Sequence, residues 1–175
     1  MEKYFLIGAV IVSLAGAFTD VRSARIPNNL TYSSIVVAIL LHAALMGLPG
    51  VKSCGLGILA AGGFFTLLFV IRAMGGGDLK MMAAIGAWVG GDHILTVIIA
   101  IGFAGGLLAI ASAILGKNTI QTARNAVRLT AYRFTSGLQP HPEMNLQAPG
   151  GRRIPFGLAI AAGTLFCVAN SVWWR

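Results

Sequence analysis

Two aspartates, Asp20 and Asp78, stand in surroundings that call for a chemical reason. Asp78 follows Gly75-Gly76-Gly77 and precedes Leu79-Lys80, in the middle of otherwise apolar sequence. Each glycine costs about 1 kcal/mol against Ala in a helix interior, so the run implies non-helical backbone or close approach by another group. A carboxylate at membrane depth is expensive and by default marks a functional site whose partner should be sought. Asp20 is the best partner: it closes the first apolar segment and is followed by Arg22, Arg25 and Ile26-Pro27-Asn28. Two facing carboxyl groups can divide the work of peptide hydrolysis, the ionised one taking a proton from water while the protonated one donates to the carbonyl oxygen. They do not comfortably both ionise at close range, so the pair holds one proton. Asp78 at a helix N-terminus and Asp20 at a helix C-terminus would make Asp78 the base and Asp20 the acid. Lys80 would bias Asp78 further toward its anion or meet an acidic group of a substrate, and Gly75 to Gly77 would let a substrate backbone come close.

The elements that must carry these groups are membrane helices. The chain is 57% hydrophobic and 10% charged, with several apolar runs near the length of a spanning helix. It reads as a single integral membrane domain over residues 1–175, all-α. The surplus of 13 Lys and Arg over 5 Asp and Glu reflects cytoplasmic enrichment of basic residues and not a nucleic-acid surface. Tyr4 to Thr19 is the first span. Its apolar core with Ala15-Gly16-Ala17 imitates a signal peptide, but Glu2-Lys3 carries no net charge, and Arg22 and Arg25 would have to be translocated. Pro27-Asn28-Asn29 stops the loop and starts the next helix, Asn being a strong N-cap, Leu30 to Leu48 returns across the membrane, Pro49-Gly50 makes the outer turn, and Gly55 to Arg72 crosses back.

The fourth segment, Leu79 to Gly91, reaches only about 20 Å as a helix against roughly 30 Å of hydrocarbon. Either it is re-entrant, or Gly75 to Asp78 dips below the surface as a non-helical inlet. Charge counting selects the second. With six spans the inner side receives Arg22, Arg25, Arg72, Lys80, Lys117, Arg124, Arg128, Arg133, Arg152 and Arg153, and the outer side only Lys3, Lys52 and Arg175. Asp78 then lies in a recessed, water-accessible pocket facing the cytoplasm, with both termini outside. Asp92-His93 makes the turn before a fifth span, Ile94 to Leu115. Gly86 with Gly90, and Gly102 with Gly106, share the four-residue spacing of close helix contacts, so segments four and five should pack tightly.

Residues 116–153 form the long polar stretch. Ile120, Ala123, Val127, Ala131 and Phe134 recur near helical period, describing an amphipathic helix between spans five and six. It either lies on the inner leaflet, held by apolar burial and anionic lipid, or stands solvated as a loop helix. Cys54 and Cys167 are isolated, which supports neither a zinc site nor a CxxC redox centre, and His42 reads as a packed or interfacial residue. No metal and no cofactor is implied, Asp92-His93 being too small a fragment for a ligand set. A small proton-coupled transporter using Asp20 and Asp78 as a relay is the alternative function, although it would be expected to show matched broken helices. A non-enzymatic assembly factor would tolerate Asn at both positions.

Gly75-Gly76-Gly77-Asp78 with Lys80 resembles the G-x-G-D-x-K pattern of the type IV prepilin peptidases. Asp20 with Arg22, Arg25 and Ile26-Pro27-Asn28 is similar to their first aspartate motif, and Arg153-Ile154-Pro155-Phe156-Gly157 to their approach to the last span. The resemblance runs over essentially the whole chain. It implies a bacterial inner-membrane aspartyl endopeptidase, with Asp20 and Asp78 catalytic, that removes the leader of prepilins or pilin-like subunits bearing an apolar helix. Larger members insert a CxxC-containing cytoplasmic domain associated with N-methylation. Nothing between Asp20 and the second span matches it, and the chain looks like the short members associated with tight-adherence pili.

Overall fold

The computed structural model describes residues 3–71, 73–115 and 155–173; the expected amphipathic helix lies outside them. Among the described residues there are five helices: α1 (Lys3–Ser23), α2 (Asn28–Val70), α3 (Gly76–Val89), α4 (Ile94–Leu115) and α5 (Phe156–Trp173). Three of them, α1, α2 and α4, are long and apolar enough to cross a membrane, and α5 is a shorter apolar helix.

α2 joins two expected spans. Its 43 residues would reach about 65 Å if straight, twice the hydrocarbon thickness. It does not run straight. Gly47 leaves helical conformation at φ 62°, ψ −147°, a left-handed backbone that glycine adopts without a Cβ clash. The turn is therefore at Gly47, two residues before the expected Pro49-Gly50, and Pro49 sits within helix in the first turn beyond the break, where its missing N–H costs nothing. Gly50 is buried in the reversal, because a Cβ there would stand 2.6 Å from the His42 carbonyl oxygen.

Contacts along α3 show that the two arms of α2 run in opposite directions. At one end of α3, Lys80 bonds Asn28 and a Cβ on Gly76 would touch Phe69. Further along, the Trp88 indole N–H donates to Ser34 Oγ at 2.8 Å, while the backbones of Gly86 and Gly57 meet directly. Beyond the end of α3, the N–H of Gly91 donates to the Ser53 carbonyl at 2.8 Å. One arm thus lies parallel to α3 and the other antiparallel. α3 fills the cleft they form, with Met81, Met82, Ala84, Ile85 and Ala87 fully buried.

The expected partnership between segments four and five does not form. Gly86 meets Gly57 and Gly90 meets Ser53, both on the second arm of α2. A Cβ added to Gly102 or Gly106 would meet no described atom within 4 Å. α4 packs instead on α5, where a Cβ on Gly163 would strike the Ile101 backbone at 2.6 Å and one on Gly105 would meet Phe156 at 2.9 Å. Its exposed side chains include Ile99, Phe103 and Leu107, which suits lipid and not water.

α1 packs on α5 and across α3. A Cβ on Gly8 would overlap the Trp88 ring at 2.1 Å, and one on Gly16 would meet Met81 Sδ at 2.5 Å. The pairing of an early residue of α1 with a late one of α3 makes the two helices antiparallel, so the C-terminal end of α1 lies beside the N-terminal end of α3. His42 is packed, stacked on Phe5 at 3.9 Å between ring centroids, with Nδ1 2.9 Å from the Ala38 carbonyl oxygen. Cys54 and Cys167 are both free.

Candidate active site

Asp20 follows Gly16 by one helical turn, and Asp78 precedes Met81 by nearly one. Each aspartate therefore continues the line of contact between α1 and α3 at the end where the helices meet. Asp20 lies within the last turn of α1, which extends beyond the expected end at Thr19. Both aspartates line one cavity of about 480 Å³, together with the segment from Ser23 to Asn28, Gly77 and Lys80.

The short connection between α1 and α2 is shaped by Ala24, the one non-glycine residue with positive φ among those described, at 51°. Its N–H donates to the Asp20 carbonyl at 2.8 Å, ending α1 with a left-handed residue where glycine is usual. Ser23 Oγ donates to the Thr19 carbonyl at 2.7 Å and approaches that of Arg25 at 3.3 Å. Ile26 turns inward and is buried, lying over Gly77. The cavity floor is thus held by backbone and one apolar side chain.

The glycine run differs from expectation. Gly75 is extended at φ −80°, ψ 150°, but Gly76 and Gly77 already belong to α3, so Asp78 sits in the first helical turn and not on a non-helical inlet. Neither Gly76 nor Gly77 has positive φ. Of the three glycines, Gly77 lines the cavity, where a Cβ would meet Ile26 at 3.4 Å; Gly75 and Gly76 sit behind it, Gly76 facing Phe69. The inlet is confined to the residues before Gly76, and the helix that follows can be continuous because α3 is surrounded by protein.

The start of α2 also departs from expectation. Neither Asn28 nor Asn29 caps α2; Pro27 occupies that position without a side-chain cap bond. Asn28 Oδ1 instead accepts from Lys80 Nζ at 2.9 Å, and the same ammonium lies 5.6 Å from the centre of the Tyr32 ring. Lys80 is tied to the start of α2 in this way, and Pro27 and Asn28 join the cavity wall.

Asp20 is 8% exposed, and its Oδ2 accepts a hydrogen bond at 2.9 Å from the N–H of Gly157, the second residue of α5. Sequence reasoning placed Gly157 only at the start of a span. The visible signal was Pro155 followed by a glycine just inside a helix, but its partner across the fold was not legible. The bond removes the asymmetry drawn from helix dipoles, since both carboxylates now stand at the positive N-terminal end of a helix, Asp78 in α3 and Asp20 against α5.

A larger apolar cavity of about 960 Å³ lies between α4 and α5. His93 and Cys167 line it without a carboxylate, whereas the smaller cavity is the one that brings two carboxyl groups together. Among the described residues no group of three or more His, Cys, Asp or Glu is arranged to hold a metal ion.

The family model for the type IV leader peptidases matches residues 7–110, a stretch that includes Asp20, the glycine run and Asp78. The chain belongs to the type IV leader peptidase family. It is thereby a prepilin aspartic peptidase by family, and a protein of several membrane helices. The match covers α1 to most of α4 and not α5, so it is narrower than the whole-chain resemblance read from the sequence. Comparison with curated proteins and with solved structures returns no match.

Proposed function

We propose that this protein is the endopeptidase that removes the short leader from prepilins or pilin-like subunits at the cytoplasmic membrane face, with Asp20 and Asp78 as its catalytic dyad. The observation that carries the reading is the common cavity lined by the two carboxyl groups. One carboxylate takes a proton from water as the oxygen bonds to the scissile carbonyl carbon, and the protonated partner gives its proton to the carbonyl oxygen. Collapse of the tetrahedral species breaks the C–N bond, and the leaving amine takes a proton from the dyad.

The topology that accompanies this reading has six passes, counting the two arms of α2 separately, with both termini outside and residues 116–153 inside. The cavity end of the bundle carries Arg22, Arg25 and Lys80, whereas Lys52 follows the Gly47 reversal at the other end, and the positive-inside rule supports a cytoplasmic cavity. Anionic lipid at the basic inner face and a substrate bearing an apolar helix belong to the same proposal, as does the absence of a methyltransferase role.

Co-expression with a prepilin tests the function. Asp20→Asn and Asp78→Asn each insert and fold but lose leader removal by about 10²-fold or more, the scale of a lost general acid or base. Near wild-type processing by either variant rules out the dyad. A cysteine introduced at Ser136 should resist an impermeant reagent in intact cells; its labelling from outside overturns the six-pass arrangement.

A further inference from the structure

We propose that Gly157 is a positioning residue for Asp20, holding one carboxylate oxygen through its backbone N–H and admitting the carboxylate through its lack of a side chain; this rests on the proposed role of Asp20. Two independent observations carry it. The first is the 2.9 Å bond from the Gly157 N–H to Asp20 Oδ2. The second is steric: a Cβ on Gly157 would stand 2.9 Å from Asp20 Cβ, 3.0 Å from Oδ2 and 3.2 Å from the Ala17 Cα.

The chemistry explains why the backbone serves here. The first N–H groups of a helix have no partner within it. A carboxylate set against them satisfies one and stands where the helix dipole is positive. An N–H fixed in a helix cannot rotate away as a side-chain donor can, so it fixes the direction from which Oδ2 is held and leaves Oδ1 as the oxygen free to be aimed into the cavity. Crowding by Ala17 and by Gly157 itself restricts the carboxylate from behind. A serine or alanine at 157 would keep the N–H but displace the group it holds, because the neighbour at 3.2 Å is backbone and does not move aside.

The alternative is that Asp20 merely caps α5. The two roles separate by editing the backbone without adding bulk. Replacing Gly157 by glycolic acid in cell-free synthesis into nanodiscs converts its amide to an ester and removes the N–H alone. The matched control is the corresponding ester at Leu158, whose N–H donates at 3.2 Å to the Pro155 carbonyl in the same turn and not to Asp20. Misplacing a reacting group by about an ångström is worth up to about 100-fold in rate. The Gly157 ester should therefore lower kcat for leader cleavage by about 10- to 100-fold with KM changed less than about twofold, while the Leu158 ester leaves kcat within about twofold. Gly157→Ala should lower kcat by a similar factor, by displacement in place of lost donation.

A second readout does not depend on cleavage. The infrared carboxyl band that disappears in Asp20→Asn should shift in the Gly157 ester and stay in place in the Leu158 ester. Overturning results are a Gly157 ester with kcat within about twofold of the parent, equal kcat losses in both esters, or an unmoved Asp20 band. Full cleavage by Asp20→Asn would instead defeat the dyad, and the infrared result would still report whether the bond exists.

Discussion

α3 and α4 carry the same small-residue signal and use it in opposite ways. Gly86 in α3 and Gly90 just past its end lie against backbone and Ser53 of α2, whereas Gly102 and Gly106 in α4 face no described neighbour. Around them, α3 is buried from Met81 to Val89 apart from Ala83, and α4 exposes Ile99, Phe103, Leu107 and Ile110. Lipid chains are as apolar as leucine, so hydropathy does not distinguish a helix enclosed by protein from one bathed in lipid. The four-residue spacing permits close approach, and a second helix decides whether it occurs. Charge makes the assignment here. Of these two helices only α3 carries a carboxylate, and a short helix with polar groups at its start is stable at depth when other helices surround it.

Enlarging the α3 glycine should break this arrangement most. Gly86→Leu and Gly57→Leu each place a side chain where the facing carbonyl oxygen already stands, 2.3 Å and 2.0 Å away respectively. Each is expected to lose more than about 3 kcal/mol, seen as loss of a folded species in detergent unfolding, because backbone cannot repack as side chains do. The Gly47 reversal comes next. Its surroundings are open, but φ is 62° with ψ −147°, a combination nearly confined to glycine, so Gly47→Ala should cost about 1–3 kcal/mol through conformation alone. A loss of about 1–2 kcal/mol is expected for Trp88→Phe, which keeps a smaller aromatic ring and removes the donor to Ser34. Gly102→Leu and Gly106→Leu should fall within about 0.5 kcal/mol of the parent by the same unfolding measurement. A large destabilisation by either would mean that α4 has a close neighbour at these positions after all.

Much of the candidate site was legible because it depends on residue type more than on packing. A carboxylate beside a glycine run in apolar sequence is expensive wherever it lies, and Asp20 and Asp78 could be paired by elimination. The span Ile94 to Leu115 was likewise readable from apolar length and coincides with α4. Local conformations were less accessible. Asn28 has the chemistry of a helix cap and is used to hold Lys80, since a tertiary partner competes for the same oxygen. The glycines before Asp78 suggested non-helical backbone, but Gly76 and Gly77 are helical, and a Cβ on either would make only ordinary contact with Phe69 or Ile26 at 3.4 Å. Left-handed conformations occur at Gly47, Gly90 and Ala24, of which alanine gives no warning in sequence. Gly77→Ala should accordingly be tolerated, contrary to what a positive φ would have required.

Asp20 and Gly157 are 137 positions apart in the chain and 2.9 Å apart in the fold. At about 5–20 residues per second, the ribosome needs on the order of ten seconds to travel from one to the other. Throughout that interval α1 is synthesised but the donor for its carboxylate does not exist, and water or a lipid headgroup must stand in. The polypeptide therefore carries its own delay: Asp20 reaches its finished setting only after the start of α5 has been made and inserted beside it.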